Sequence, residues 1–173
     1  MAWQKVKVPI PRRFGPTERQ AIAQEVIDFI VERTKSGKNI KGGAFPGYSA
    51  SYKGSLDFKI AGKGGTVDLT LSGEMLDSIQ LLAHKSGEIE VGFDRSDKEL
   101  NGKAEGNQLG TYGTGKAKKS KARPFLGITG KDLKVILDKY PSSREDSLTR
   151  ATDELAAARA AGDLADGIDF EGE

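Results

Sequence analysis

The first fifteen residues alternate apolar and polar side chains, with Val6, Val8 and Ile10 in step before Pro11 stops the run. Alternation at period two predicts an extended arm or edge strand, because proline cannot donate to a central ladder. Trp3 at the tip gives such an arm a side chain with which to dock on a neighbour. After Gly15-Pro16-Thr17 the period changes. Ile22, Val26, Phe29 and Ile30 recur at helical spacing, which predicts a helix over 18–35 that ends before Gly37 and turns its stripe to the core. Thr17 and Gln20 stand at capping-box positions.

Residues 36–54 read as a long loop anchored by Phe45 and Tyr48. Two β-like runs follow, 56–61 and 66–71, joined at Gly62-Lys63-Gly64-Gly65 as a hairpin, with Val67, Leu69 and Leu71 on one face. A short helix over 73–79, capped by Ser72, turns Met75, Leu76 and Ile79 inward. A second hairpin over 79–83 and 88–93 turns at Lys85-Ser86-Gly87. Its Ile89 and Val91 alternate with Glu88 and Glu90, which marks a sheet with one wet face. Residues 94–115 read as a polar loop. A helix over 131–140 carries Leu133, Val135 and Ile136, and Pro141 ends it. Ser143 opens a last, alanine-rich helix over 144–161, and an acidic tail closes the chain. The expected fold is α+β: a small antiparallel sheet of two hairpins packed with an N-terminal helix and short helices. It divides into an arm (1–15), a core domain (16–141) with a long loop at 94–122, and a C-terminal helical appendage with its tail (142–173).

Composition narrows the class. Only 36% of the 173 residues are apolar and 22 are glycine, which fits a small core with long loops. Such cores are often stabilised by oligomerisation. The net charge of +2 is too mild to mark a nucleic-acid protein, but the charge is uneven. Lys5, Lys7, Arg12 and Arg13 open the chain, and Lys116, Lys118, Lys119, Lys121 and Arg123 form a basic run. Asp163, Asp166, Asp169, Glu171 and Glu173 close the chain with no cation between them. Without cysteine, disulfides and thiolate-bound metals are excluded. No apolar run nears the roughly 18 residues of a membrane span, and the start lacks the apolar stretch of a signal peptide.

No catalytic set stands out. His84 is the single histidine and reads as a solvated turn residue. No Ser-His-Asp arrangement or carboxylate cluster accompanies it, so no enzyme, cofactor or metal is expected. Residues 110–116 match the start of a phosphate-binding loop, but Ala117 replaces the hydroxyl that would hold magnesium, and no apolar strand precedes it. The basic run can touch phosphates, although Tyr112 alone makes no stacking ladder. A DNA-binding module built on 116–123 is the alternative of a different class.

Leu71-Ser72-Gly73-Glu74-Met75-Leu76-Asp77-Ser78-Ile79 is similar to the Leu-Thr-Gly-x-Leu-x-x-Ser-Ile signature of a phage virion-morphogenesis family, the tail-completion or neck proteins of long-tailed bacteriophages. Asn107-Gln108-Leu109-Gly110-Thr111 resembles that family's His-Gln-Phe-Gly-Thr segment, with Asn107 in place of the His. Arg123-Pro124-Phe125-Leu126-Gly127-Ile128, with the helix after it, resembles its strongest marker, and Ala44-Phe45-Pro46-Gly47-Tyr48 also fits. The likeness spans residues 17–140. The lysine-rich insert before Arg123 is longer than the family pattern, and the N-terminal arm and last helix lie outside it.

The resemblance implies a structural virion protein of the neck or tail, assembled in the host cytoplasm. It implies a homo-oligomeric ring, a hexamer if matched to the tail, that makes the tail competent to join the head. Head-completion or connector proteins and tail-terminator or tail-tube proteins are the implied partners, with packaged DNA nearby and no membrane. A tail terminator capping the tube is the near alternative. In that setting Lys5, Lys7, Arg12, Arg13, Lys116, Lys118, Lys119, Lys121 and Arg123 are candidate contacts with a partner or with DNA. Leu71, Gly73, Leu76, Ser78, Ile79, Gly110, Pro124, Phe125, Leu126 and Gly127 form the motif core. Phe125 and Leu126 are expected to enter the core beside Met75, Leu76 and Ile79, leaving function to the loop at 105–122.

Overall fold

Among the described residues the antiparallel sheet has three strands, and the first of them comes from the N-terminal segment. The computed structural model describes residues 3–60, 62, 64, 66–69, 74–111 and 121–140. The chain divides between Lys139 and Tyr140 into two units, and the account below concerns the first. Strands β1 (Lys5–Pro9), β2 (Gln80–Lys85) and β3 (Glu88–Gly92) are ordered β1-β3-β2. β2 and β3 form the hairpin expected at 79–93. β1 pairs with β3 from Lys5 opposite Gly92 to Pro9 opposite Glu88. β1 is therefore an edge strand of this sheet, the second of the two forms expected of the N-terminal segment. Trp3 Nε1 donates to the Phe93 carbonyl at 2.7 Å, and Phe93 N–H donates to the Gln4 carbonyl at 3.1 Å. The approach requires glycine at 92, where a Cβ would lie 2.5 Å from the Gln4 oxygen.

Register gives the sheet two unlike faces. Val6, Val8, Ile89 and Val91 alternate onto one face, and Val8, Ile89 and Val91 are buried. Helix α1 (Pro16–Lys35) packs against β2 and β3. It buries Ile22, Ala23, Val26, Ile27 and Ile30, each isoleucine or valine contributing about 1.5–3 kcal/mol. The helix starts two residues earlier than Thr17 suggests. Pro16 takes the first helical position, and Glu18 Oε2 accepts from Gly15 N–H at 2.6 Å. Gly37, at φ 78°, closes the helix where a Cβ would meet Thr66 Cγ2 at 2.6 Å. α6 (Gly130–Leu137) lies against α1 and buries Leu133 and Ile136, while Val135 is exposed. Thr129 caps it by accepting from Asp132 N–H.

Two segments depart from the sequence pattern. The first strand of the expected hairpin at 56–61 is replaced by α3 (Leu56–Ile60), and α2 (Ala50–Lys53) precedes it inside the stretch read as a loop. Ser49 Oγ accepts from Tyr52 N–H and Ser55 Oγ from Phe58 N–H, so each short helix has a capping hydroxyl. Residues 66–69 lie in no strand. Leu69 takes φ 55°, which breaks the alternation with Val67, and Val67 alone is buried. The second departure is α5 (Lys98–Leu109), within the stretch read as a polar loop. Its buried positions are Asn101, Ala104 and Gly106, too small and polar to give a hydrophobic stripe. Hydrogen bonds stabilise it instead. Asp97 caps Leu100 N–H, Asn101 Nδ2 donates to the carbonyls of Asp94 and Asp97, and Asn101 Oδ1 accepts from Gln4 N–H. Gly110, at φ 67°, ends the helix, and Thr111 N–H returns to the Gly106 carbonyl. The short helix at 73–79 is α4 (Glu74–Asp77), next to α5, with Met75, Leu76 and Ile79 buried. Together these elements make a small α+β fold. The C-terminal helix at 144–161 and the acidic tail lie outside the described residues.

Candidate functional site

Residues 123–127 run as an extended strap with no strand beside it among the described residues. Every backbone polar group from Pro124 to Leu126 is nevertheless answered. Gln108, in the last turn of α5, supplies one side-chain amide to three of them. Its Oε1 accepts from Phe125 N–H at 3.0 Å and Leu126 N–H at 3.2 Å, and its Nε2 donates to the Leu126 carbonyl at 3.1 Å. Ile40 N–H donates to the Pro124 carbonyl and Arg33 Nη2 to the Phe125 carbonyl. Buried backbone groups need such partners, and Gln108 acts here as a neighbouring strand would. Phe125 is fully buried, its ring edge-on to Phe93 at 6.4 Å, and Leu126 is buried beside it in sequence. Gly127 is buried against Ile40, whose Cδ1 would lie 2.8 Å from a Cβ at that position. Leu76 and Ile79 are buried, Ser78 Oγ donates to the Glu74 carbonyl, and Leu71 and Gly73 lie outside the described residues.

Arg123 is corrected from a partner or DNA contact to an internal anchor. It is 8% exposed. Its Nε donates to the Pro46 carbonyl at 3.1 Å and its Nη2 to the Gly47 carbonyl at 3.2 Å, and the guanidinium stacks over the Tyr48 ring at 5.5 Å. It ties the 44–48 loop to the strap. Burial, with the charge of Asp68, pushes the Tyr48 phenol above its ordinary pKa.

The remaining basic candidates fare unevenly. On the sheet face away from α1, Lys5 Nζ meets Glu90 at 2.7 Å, and Lys7 meets Glu88 at 3.1 Å and Glu90 at 3.3 Å. The hydrogen bond from Lys5, joined by Lys7, holds the Glu90 carboxyl below its usual range, and hydrogen bonds to Glu88 and Glu90 raise Lys7. These two lysines are neutralised within their own sheet. Arg12 is exposed with its stem over the Gly87 turn, Arg13 lies over the Phe14 ring at 5.1 Å, and Lys121 is exposed. Lys116, Lys118 and Lys119 lie outside the described residues.

A different surface emerges at α2 and α3. Tyr48, Tyr52 and Phe58 form a ring cluster with centroids 5.1–5.5 Å apart. Leu56 and Ile60, one turn apart on α3, point away from it and are 71% and 75% exposed. The sequence pattern places these residues in a strand of a hairpin, so sequence reasoning missed the surface. The Ser-x-x hydroxyl caps at 49 and 55 were the available signal.

His84 is part of β2 rather than the turn. It shares the helix-facing side with Ile89, and its Nε2 lies 3.5 Å from Gln20 Nε2. Among the described residues no group of three or more His, Asp or Glu side chains is arranged to hold a metal, and no helix is long and apolar enough to cross a membrane. No protein-family model, curated protein or solved structure matches the chain.

Proposed function

We propose that this chain is a structural virion protein of a tailed bacteriophage, a tail-completion or neck protein that forms a ring at the head-proximal end of the tail. The observation that carries this reading is the joining of motif segments that are far apart in sequence. Asn107 accepts from Arg123 N–H at 2.6 Å through its carbonyl, Gln108 clasps Phe125 and Leu126, and Arg123 reaches Pro46 and Gly47. Three of the four segments that carry the family likeness thus form one interlocked unit. Leu56 and Ile60 supply an outward apolar pair suited to contact between subunits.

Light scattering after size exclusion, with negative-stain microscopy, tests the proposal. Closed rings are the expected product, either from the protein alone or after mixing with tail-tube and head-connector proteins. A heterologous contact repeated by rotation closes in this way. A chain that stays monomeric alone and with both partners overturns the reading.

A further inference from the structure

An open cleft of about 720 Å³ lies between the last turns of α1, the turn at 38–42 and the start of α6. Arg33, Lys38, Lys41 and Lys131 line it against Glu32 and Asp132, with Phe29 as an apolar wall. Two carboxylates thus face four cations. None of the three lysines has an ion pair among the described residues. Asp132 is already engaged, accepting from Thr129 Oγ1 at 2.6 Å.

Arg33 makes the imbalance specific. It is 8% exposed, and its Nη2 is committed to the Phe125 carbonyl. Its Nε and Nη1 are buried with no hydrogen-bond partner among the described residues. An unpaired buried cation is costly, and an anion held over it in the cleft offsets its charge without reaching the enclosed nitrogens. Burial lowers the guanidinium's pKa, partly opposed by the charge of Asp132, yet an arginine stays protonated at neutral pH.

We propose that this cleft is an oxyanion site that docks an acidic peptide segment of a partner protein, one carboxylate directed at Arg33 and its neighbours at Lys41 and Lys131. A peptide is favoured over a nucleic acid because Glu32 and Asp132 interrupt the basic wall. A backbone with a phosphate at every step meets both of them, whereas carboxylates spaced by apolar side chains do not. The ring of Phe29 offers those apolar side chains a surface. The inference is independent of ring formation.

Fluorescence anisotropy of a labelled acidic peptide, Asp-Ile-Asp-Phe-Glu-Asp-Glu, titrated with the full chain at low salt, is the test. Saturable binding is expected, weakened at least about tenfold by the exposed pair Lys41→Glu/Lys131→Glu. An oligothymidylate of equal charge is expected to bind more weakly. Arg33→Lys, if its circular dichroism matches the parent, should also weaken the peptide. Because Arg33 also holds the strap, the lysine pair carries the test if Arg33→Lys unfolds. No saturable binding, an unchanged affinity in the lysine pair, or a preference for the oligothymidylate overturns the proposal.

Discussion

The strap at 123–127 and the helical pair at 50–60 handle their apolar side chains in opposite ways. Both are short, and both follow glycine-rich, polar sequence. The strap is extended, so its backbone polar groups must be answered from outside, and Gln108, Arg33 and Ile40 converge to answer them. That convergence encloses Phe125. In the helical pair the backbone answers itself, because α-helical bonds are internal. Nothing compels other segments to cover it, and Leu56 and Ile60 remain outside. For these two short segments the demand of the backbone separates buried from exposed apolar side chains, whereas α1, whose backbone also answers itself, buries its stripe because the sheet lies against it.

The largest test of this contrast is Phe125→Ala. The ring is fully buried against Phe93, and its loss should cost about 3–5 kcal/mol in denaturant unfolding. A cost under about 1 kcal/mol would mean that the strap is not part of the core. Gln108→Ala should come next, at about 2–3 kcal/mol, since it strands two N–H donors and one carbonyl. Gln108→Glu keeps the acceptor for Phe125 and Leu126 but loses the donor, and should fall between the parent and the alanine variant. Equal losses for both would assign the effect to the helix end rather than the clasp.

The parts of the fold legible in the sequence are those written in side-chain period. α1 and the 79–93 hairpin follow from Ile22, Val26 and Ile30 and from Ile89 and Val91. The burial of Phe125 follows from an aromatic side chain held behind Pro124. α5 was not legible, because its buried face is Asn101, Ala104 and Gly106 and its stability lies in side-chain bonds to distant backbone. The 56–60 run alternates as a strand does, and only the caps at Ser49 and Ser55 and the ring cluster resolve it as helix. For the candidate contacts, charge alone did not separate Arg123, which anchors a loop, from Lys121, which is exposed. That distinction depends on the carbonyls of Pro46 and Gly47, 77 and 76 residues away in sequence.

The ionic face of the sheet should matter less than the strap, and its contribution should fade in acid. Glu90 has its folded pKa held below its ordinary 4.5, chiefly by the Lys5 hydrogen bond. Its contribution to stability is therefore complete above that ordinary value and is lost as pH falls through the lower, folded one. Glu90→Gln should narrow its stability gap from the parent as pH drops from about 6 to about 3. Lys7 has the opposite sign, its contribution present below its ordinary 10.5 and lost as pH rises through the higher, folded value. A gap that stays constant across the acid range would show that Glu90 acts by packing instead of charge.

The smallest expected effect on folding belongs to Leu56→Ser/Ile60→Ser. Both side chains are mostly in water already, and Ser55 and the ring cluster, which hold α3, are untouched. Unfolding free energy should change by no more than about 0.5 kcal/mol, the range of ordinary surface substitutions. If the proposed ring forms through this face, the same pair should nevertheless abolish it, because the proposed apolar contact loses both of its side chains. A variant that unfolds more easily by about 2 kcal/mol would mean that this face is core, and the contrast with the strap would collapse. A variant that folds normally and still forms rings would keep the contrast and move the subunit contact elsewhere on the surface. Unchanged folding with lost assembly is the one result that leaves both the contrast and the subunit contact standing.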